Sequence, residues 1–318
     1  MTDAIRGETR HRPATVPFGA SAMALGAGLV FSLGALLARE ATHADVWQYL
    51  IWRSIGIIVV VELLSLARRQ TSAVWRAYSG GAMMWLACLC LLIASLAFVY
   101  ALKNTKAANA AFLSSVTPLF AIVLGRVFLG ERMTRITVGA TSVALAGLAV
   151  TVIGDLGGGG MVGNVAAVFS ALGFAGYTVC VRSDLERDWS PVLPGYAIAL
   201  AILCTVVTLI NARPIVPGFP STGYAFIHGA VLIVIGTLLF NSSSRTVPAV
   251  AMTVFAQSEN VFVPVWIFLF IGERPKTTAL IGGAIIFTAI VGKAVLDARP
   301  SDGPIAGFPI EPGPGSIA

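Results

Sequence analysis

Residues 107–132, AANAAFLSSVTPLFAIVLGRVFLGER, and residues 249–274, AVAMTVFAQSENVFVPVWIFLFIGER, decide the fold of this chain. They align without a gap at an offset of 142 residues, which pairs Ala107 with Ala249, Phe120 with Phe262 and Val123 with Val265. Both end in the same triplet, Gly130-Glu131-Arg132 and Gly272-Glu273-Arg274, and the same offset sets Trp47 on Trp189. Apolar helices resemble one another by composition alone. A charged triplet repeated at the same helix end is not a product of composition, so the chain reads as a duplication.

Each stretch is an apolar run of the length, about 20 residues, that crosses a hydrocarbon core about 30 Å thick. Ten such runs are present, at 17–38, 46–66, 81–102, 108–128, 136–154, 162–181, 192–210, 223–241, 249–270 and 278–296. Five runs per copy is an odd number, so the copies cross in opposite directions and Glu131 and Glu273 end on opposite sides. The expected fold is an all-α membrane protein of ten transmembrane helices in two inverted five-helix repeats. Its parts are a cytoplasmic tail (1–16), a first repeat (17–156), a second repeat (157–296) and a disordered, Pro- and Gly-rich cytoplasmic tail (297–318). Inverted repeats of this kind characterise secondary transporters, which hold substrate near the midplane where the halves meet.

Composition agrees. Of 318 residues 57% are hydrophobic and 11% charged, against roughly 25% charged in soluble domains, so most of the exterior faces the lipid bilayer. The net charge of +6 is scattered between apolar runs, which marks topology and gives no nucleic-acid partner. With the N-terminus inside, fourteen of the 21 basic residues fall in inside segments and six outside, with Arg53 within a helix. That asymmetry places both termini in the cytoplasm, and an even helix number requires the same. The expected location is the cell (inner) membrane, as a monomer or homodimer. Ala20-Ser21-Ala22 resembles a signal-peptide cleavage site, but it opens the first apolar run instead of ending it, so that run reads as a retained helix. Cys88, Cys90, Cys180 and Cys204 lie inside apolar runs without metal-ligand spacing and read as small buried hydrophobes. No metal and no cofactor are expected.

The segment from Phe98 through Ala101-Leu102, Pro118 and Phe120, ending in Leu129-Gly130-Glu131-Arg132-Met133-Thr134, resembles the EamA domain of the drug/metabolite transporter superfamily. That domain carries an Ala-Leu step after its third helix, a proline inside its fourth and a Leu-Gly-Glu-x-x-Thr end. Glu259 through Gly272-Glu273 is similar to its C-terminal copy, and the resemblance covers residues 17–296. It implies ten helices, cytoplasmic termini, and efflux or exchange of small organic metabolites. One position departs: Asn260 stands where the family usually has proline, and Pro264 follows one turn later. Since a helix proline removes a backbone hydrogen bond and bends the helix, the ninth run is expected to bend a turn deeper than the fourth.

Polar groups at membrane depth are the functional pointers, because a charge at the bilayer centre costs at least roughly 2.5–3.5 kcal/mol. Glu259 lies near the midplane of the ninth run. Thr253, Gln257 and Asn260 share a stripe beside it at i, i+4, i+7 spacing. The fourth run presents Ser115 on one stripe and Ser114 and Thr117 on the next, with Thr117 aligned to Glu259. A cavity lined by both stripes accounts for this pattern, with Glu259 as substrate ligand or proton carrier, or else as a buried structural partner. Arg53, in mid-helix, is either an anion ligand or a structural group paired with a carboxylate or with free carbonyls at a bend. Tyr177, Trp85 and Tyr100 are candidate cavity aromatics; Trp47, Trp52 and Trp75 read as interfacial anchors. Glu62 is expected to pair with Arg68 and Arg69, Asn109 to cap a helix, and His228 to open the eighth helix.

The rival classes are an intramembrane enzyme and a lipid flippase. An intramembrane protease needs paired mid-helix aspartates, a Ser–His pair or a zinc-binding His-Glu-x-x-His. No aspartate lies inside a predicted run and the zinc motif is absent. The reading is a secondary active exporter or exchanger of a small metabolite, with a proton as the candidate coupling ion, working by alternating access around a midplane cavity, and not an enzyme.

Overall fold

The computed structural model describes residues 18–104, 110, 113–131, 134–152, 160–272 and 277–297, and every regular element among them is a helix. They are α1 (Phe18–Glu40), α2 (Val46–Ala67), α3 (Ala73–Ser79), α4 (Gly81–Asn104), α5 (Thr117–Leu129), α6 (Arg135–Val152), α7 (Met161–Ser183) and α8 (Val192–Ile210). α9 (Phe219–Ser243) contains a π-helical turn at His228–Ile233. α10 is in two pieces, α10a (Ala249–Ala256) and α10b (Ser258–Ile271), and α11 (Thr277–Asp297) ends the described chain. Seven helices are long and apolar enough to cross a membrane and three shorter apolar helices complete ten. The extra element, α3, is a seven-residue segment with Trp75 exposed.

Local chemistry sets the ends. Asp45 and Gln48 form a reciprocal capping box on α2, with Gln48 N donating to Asp45 Oδ1 at 2.8 Å and Asp45 N to Gln48 Oε1 at 3.0 Å. α5 and α10b both stop at a glycine in the left-handed region, Gly130 (φ 62°) and Gly272 (φ 75°). A side chain there is strained, which explains the glycine of both Gly-Glu ends.

The halves interlock. α4 packs on α7 and α9 on α1; α5 packs on α7 and α10 on α1; α2 meets α8, α6 meets α11, and α5 meets α10. Exchanging the repeats turns each pairing into another member of the same set, as a pseudo-two-fold axis requires. The fold is ten transmembrane helices in two inverted five-helix repeats. Its outward faces are apolar, with Leu66, Met161 and Phe219 among the exposed side chains, as lipid contact demands. Tyr49, Tyr177, Tyr196, Phe240 and Phe255 fill the centre.

Candidate substrate site at the repeat interface

The site begins with two helix breaks. Residues 113–114 are helical, 115–116 form a turn, and α5 starts at Thr117 with Pro118 in its first turn, where a missing N–H costs nothing. α10 breaks at Gln257, the position aligned with Ser115. Both repeats therefore break at the same aligned residue, and in the second repeat that break lies seven residues before Pro264. In α10 the break does not need proline, because Ser258 Oγ donates to Leu25 O of α1 at 3.2 Å and anchors the start of α10b. Gln257 Nε2 donates to Ser115 O at 3.4 Å across a separation of 142 residues, which equals the repeat offset. A residue that touches its own symmetry counterpart lies on or beside the axis, so the two breaks meet at the centre of the molecule.

Glu259 stands in the first turn of α10b, at the positive end of a half-helix. Its side chain is half-buried and forms no hydrogen bond or ion pair among the described residues. Gly28 of α1 faces it closely: a Cβ there meets Glu259 N at 3.2 Å and collides with Ser258. Thr253 is fully buried and donates back to Val250 O at 2.8 Å, so it belongs to the core and not to a lining stripe. Thr117, Glu259's counterpart, is likewise buried and donates to Ser114 O at 2.7 Å, while Ser114 Oγ is buried without a partner. The side chain of Asn260 lies outside the described residues, as does Asn109.

Arg53 is 3% exposed and donates to Ser95 Oγ of α4, with its Nε unpartnered. Among the described residues no carboxylate and no free carbonyl at a bend accepts from it, so neither structural pairing expected of it is present. Facing it is the π turn of α9, where Gly229, lacking a Cβ, brings its backbone against Arg53 O. His228 does not open a helix: it is buried nine residues into α9 and shares a 2.6 Å hydrogen bond with Tyr49 Oη. Tyr177 is buried, donating to Asn241 Oδ1 at 2.5 Å. Trp85 is corrected: it is 51% exposed, packs on Tyr78 and donates to Tyr78 O at 3.2 Å, far from any lining role, because it sits on the outward side of α4 near its start. Glu62 accepts from Ser72 Oγ at 3.0 Å and from Val74 N at 2.6 Å, securing α3 where pairing with Arg68 and Arg69 was expected. Tyr100 packs against Trp47, their rings 6.2 Å apart.

At one end of the bundle the first Gly-Glu motif forms a latch. Glu131 Oε1 accepts from Arg182 Nε and Nη2 of α7, each at 3.2 Å, and Oε2 accepts from Ala249 N at 3.1 Å. Arg182 also donates to Ser244 O, and the pair is buried, at 7% and 5% side-chain exposure. The sequence places Glu131 at a helix end but does not disclose this partner. At the opposite end Arg213 meets Asp45 at 3.4 Å in an exposed pair.

Two broken helices meeting on a pseudo-two-fold axis, inside ten apolar helices, define a multi-pass membrane transporter of the inverted-repeat class. The model of the EamA-like transporter family matches residues 19–153 and 161–293, and the chain belongs to that family. Among its relatives are the pseudopaline exporter of Pseudomonas aeruginosa, 26% identical over 197 residues (61% of this chain, 68% of the relative). A probable terminal-alkyne amino-acid exporter of Streptantibioticus cattleyicolor is 28% identical over 218 residues, 62% of this chain and 66% of the relative. The matched stretch thus spans about two thirds of each relative's length. One solved crystal structure superposes with a TM-score of 0.72, covering 88% of this chain and 97% of its own at 20% identity, a likeness of fold.

Proposed function

We propose that the chain exports a small organic metabolite across the cell membrane by alternating access around the paired breaks at Ser115 and Gln257. The observation that carries the reading is the Gln257–Ser115 contact on the axis, two residues from Glu259, whose carboxylate has no partner among the described residues. Substrate held there touches both halves at once, so rocking one half against the other exposes it to alternate sides. The exporter names of the two relatives support the direction, and both termini are placed inside by the basic residues. Gln257, Ser115 and Ser114 supply neutral hydrogen-bonding groups around the breaks, and Glu259 supplies a carboxyl. A carboxyl can carry a proton between the two sides, and a proton moving inward gains about 2.3 kcal/mol per 100 mV. Glu259 is thereby the candidate coupling group.

The test is counterflow in proteoliposomes with Glu259→Gln, which keeps the shape of a neutral carboxyl. The expected outcome is substrate exchange retained and acceleration by a pH gradient lost. Transport by a stable Glu259→Gln protein that still responds to pH removes the residue from the mechanism.

A further inference from the structure

We propose that Arg53 is the counter-ion of a carboxylate on the transported metabolite, held at a second polar cluster apart from Glu259. The assignment rests on the transport reading above and names the substrate class. Five side chains gather in this cluster: Arg53 of α2 and Tyr196 of α8 both meet Ser95 of α4, and Tyr49, one turn before Arg53 on α2, meets His228 of α9. These four helices form two symmetry-related pairs, so the cluster also straddles the axis. None of its members is an acid. A guanidinium has five N–H donors and carries its charge permanently, yet among the described residues this one has a single hydroxyl partner and a buried Nε with none. Burying an unpaired charge is costly, and a carboxylate ligand relieves that cost while matching the planar fork of the guanidinium. A phosphate dianion is a poorer match, since one guanidinium leaves half its charge uncompensated.

The surrounding backbone is shaped to the same place. The π turn at His228–Ile233 lies where α9 packs on the backbone of Arg53, and such turns recur at functional sites. Gly34 of α1 touches the His228 ring, and Gly28, six residues earlier, touches Ser258 and Glu259. At 1.5 Å per residue the two sites lie about 9 Å apart along α1. A cationic cluster and an acidic group thus share one wall of the central helices.

The test uses the purified full chain in lipid nanodiscs, with wild type, Arg53→Met and Arg53→Lys. Probes are the proteinogenic L-amino acids and short-chain carboxylic acids, each beside its own carboxamide, read by thermal shift. The expected result is that wild type binds at least one carboxylate about tenfold or more tighter than its amide. Arg53→Met abolishes that preference while the ligand-free protein melts at the same temperature or higher, because an unpaired buried charge has gone. Arg53→Lys keeps a weakened preference, which tests the point should Arg53→Met fail to fold. No carboxylate preferred at millimolar concentration, a preference that survives Arg53→Met, or a lowered ligand-free melting temperature with binding intact each overturn the proposal. Counterflow on the same preparations separates the two readings. Exchange of a metabolite without carboxylate preference leaves export standing and removes Arg53; carboxylate preference without any exchange does the reverse.

Discussion

Replacing Glu131 with Gln removes the charge from the most enclosed ion pair described in the molecule and tests whether that pair is a gate. The carboxylate accepts three hydrogen bonds, two from Arg182 and one from Ala249 N, and thereby ties α5, α7 and the start of α10a together. Removing one partner of a buried pair costs roughly 3–5 kcal/mol, because the other charge stays buried. Gln keeps one acceptor, so the low end, about 3 kcal/mol, is the working figure. If the latch exists only when this face is closed, the whole loss falls on the closed state. At about 1.4 kcal/mol per factor of ten, the open population rises by roughly 100-fold. The assay is labelling of Val250→Cys by an impermeant maleimide, in a background where the four native cysteines are replaced. Val250 is 4% exposed in α10a directly behind the latch, so the closed protein should label slowly. Glu131→Gln should raise the rate by up to that factor, and adding Arg182→Gln should return part of it, since neighbours in one network are not additive. A Glu131→Gln protein that is less stable but labels at the wild-type rate refutes the gate: the pair is then present in both states.

Three further outcomes are expected. Gly229→Ala drives a Cβ into Arg53 O, backbone against backbone, and should destabilise the protein by about 1–3 kcal/mol in a thermal or denaturant melt. Cysteines placed singly at Ser72 and Gly158 should be labelled from opposite sides of the membrane; same-side labelling contradicts the inverted topology. The Asp184 carboxyl, in the α7–α8 connection, is held below the usual carboxylate range by the side-chain hydrogen bond from Arg187, at 3.1 Å. Its folded value is the lower one, so its contribution is present above the unfolded value and lost as pH falls through the folded one. The protection factors of the Glu186 and Arg187 amides, which donate to the same carboxylate, taken relative to intrinsic exchange at each pH, should fall over that acidic window and stay constant above it.

The helices were legible because lipid imposes one requirement on every span: an apolar run of sufficient length. α8 begins and ends at the expected residues, and α2 differs by one at its end. The duplication was legible because the Gly-Glu end needs a left-handed glycine, a backbone demand visible in any sequence. Side-chain destinations were not. Trp85 and Tyr177 are both aromatics in transmembrane helices, yet one faces outward and the other is sealed beside Asn241. Which way a helix turns depends on neighbours far along the chain, and an all-apolar helix has no polar face to betray it. His228 was missed because the run was started at Gly223, whereas Pro220 serves in the first turn of a helix that begins at Phe219. That shift moved the histidine from a mouth to the interior.

The pairing of Thr117 with Glu259 shows how the duplication became a site. The two residues occupy one position of the repeat, each two residues beyond its helix break. Thr117 is buried, and its hydroxyl is spent on Ser114 O one turn back, closing the α5 break on itself. The carboxylate of Glu259 has no such local use. It sits at a half-helix N-terminus, with α1 brought close by Gly28 and no described group to neutralise it. Symmetry places both breaks on the axis, so either repeat offers the same backbone platform. Only in the second does the side chain remain available for something other than the fold. A symmetric scaffold thus carries an asymmetric carboxyl at its centre, and in the export cycle proposed above a substrate that pairs with it is oriented with respect to both halves.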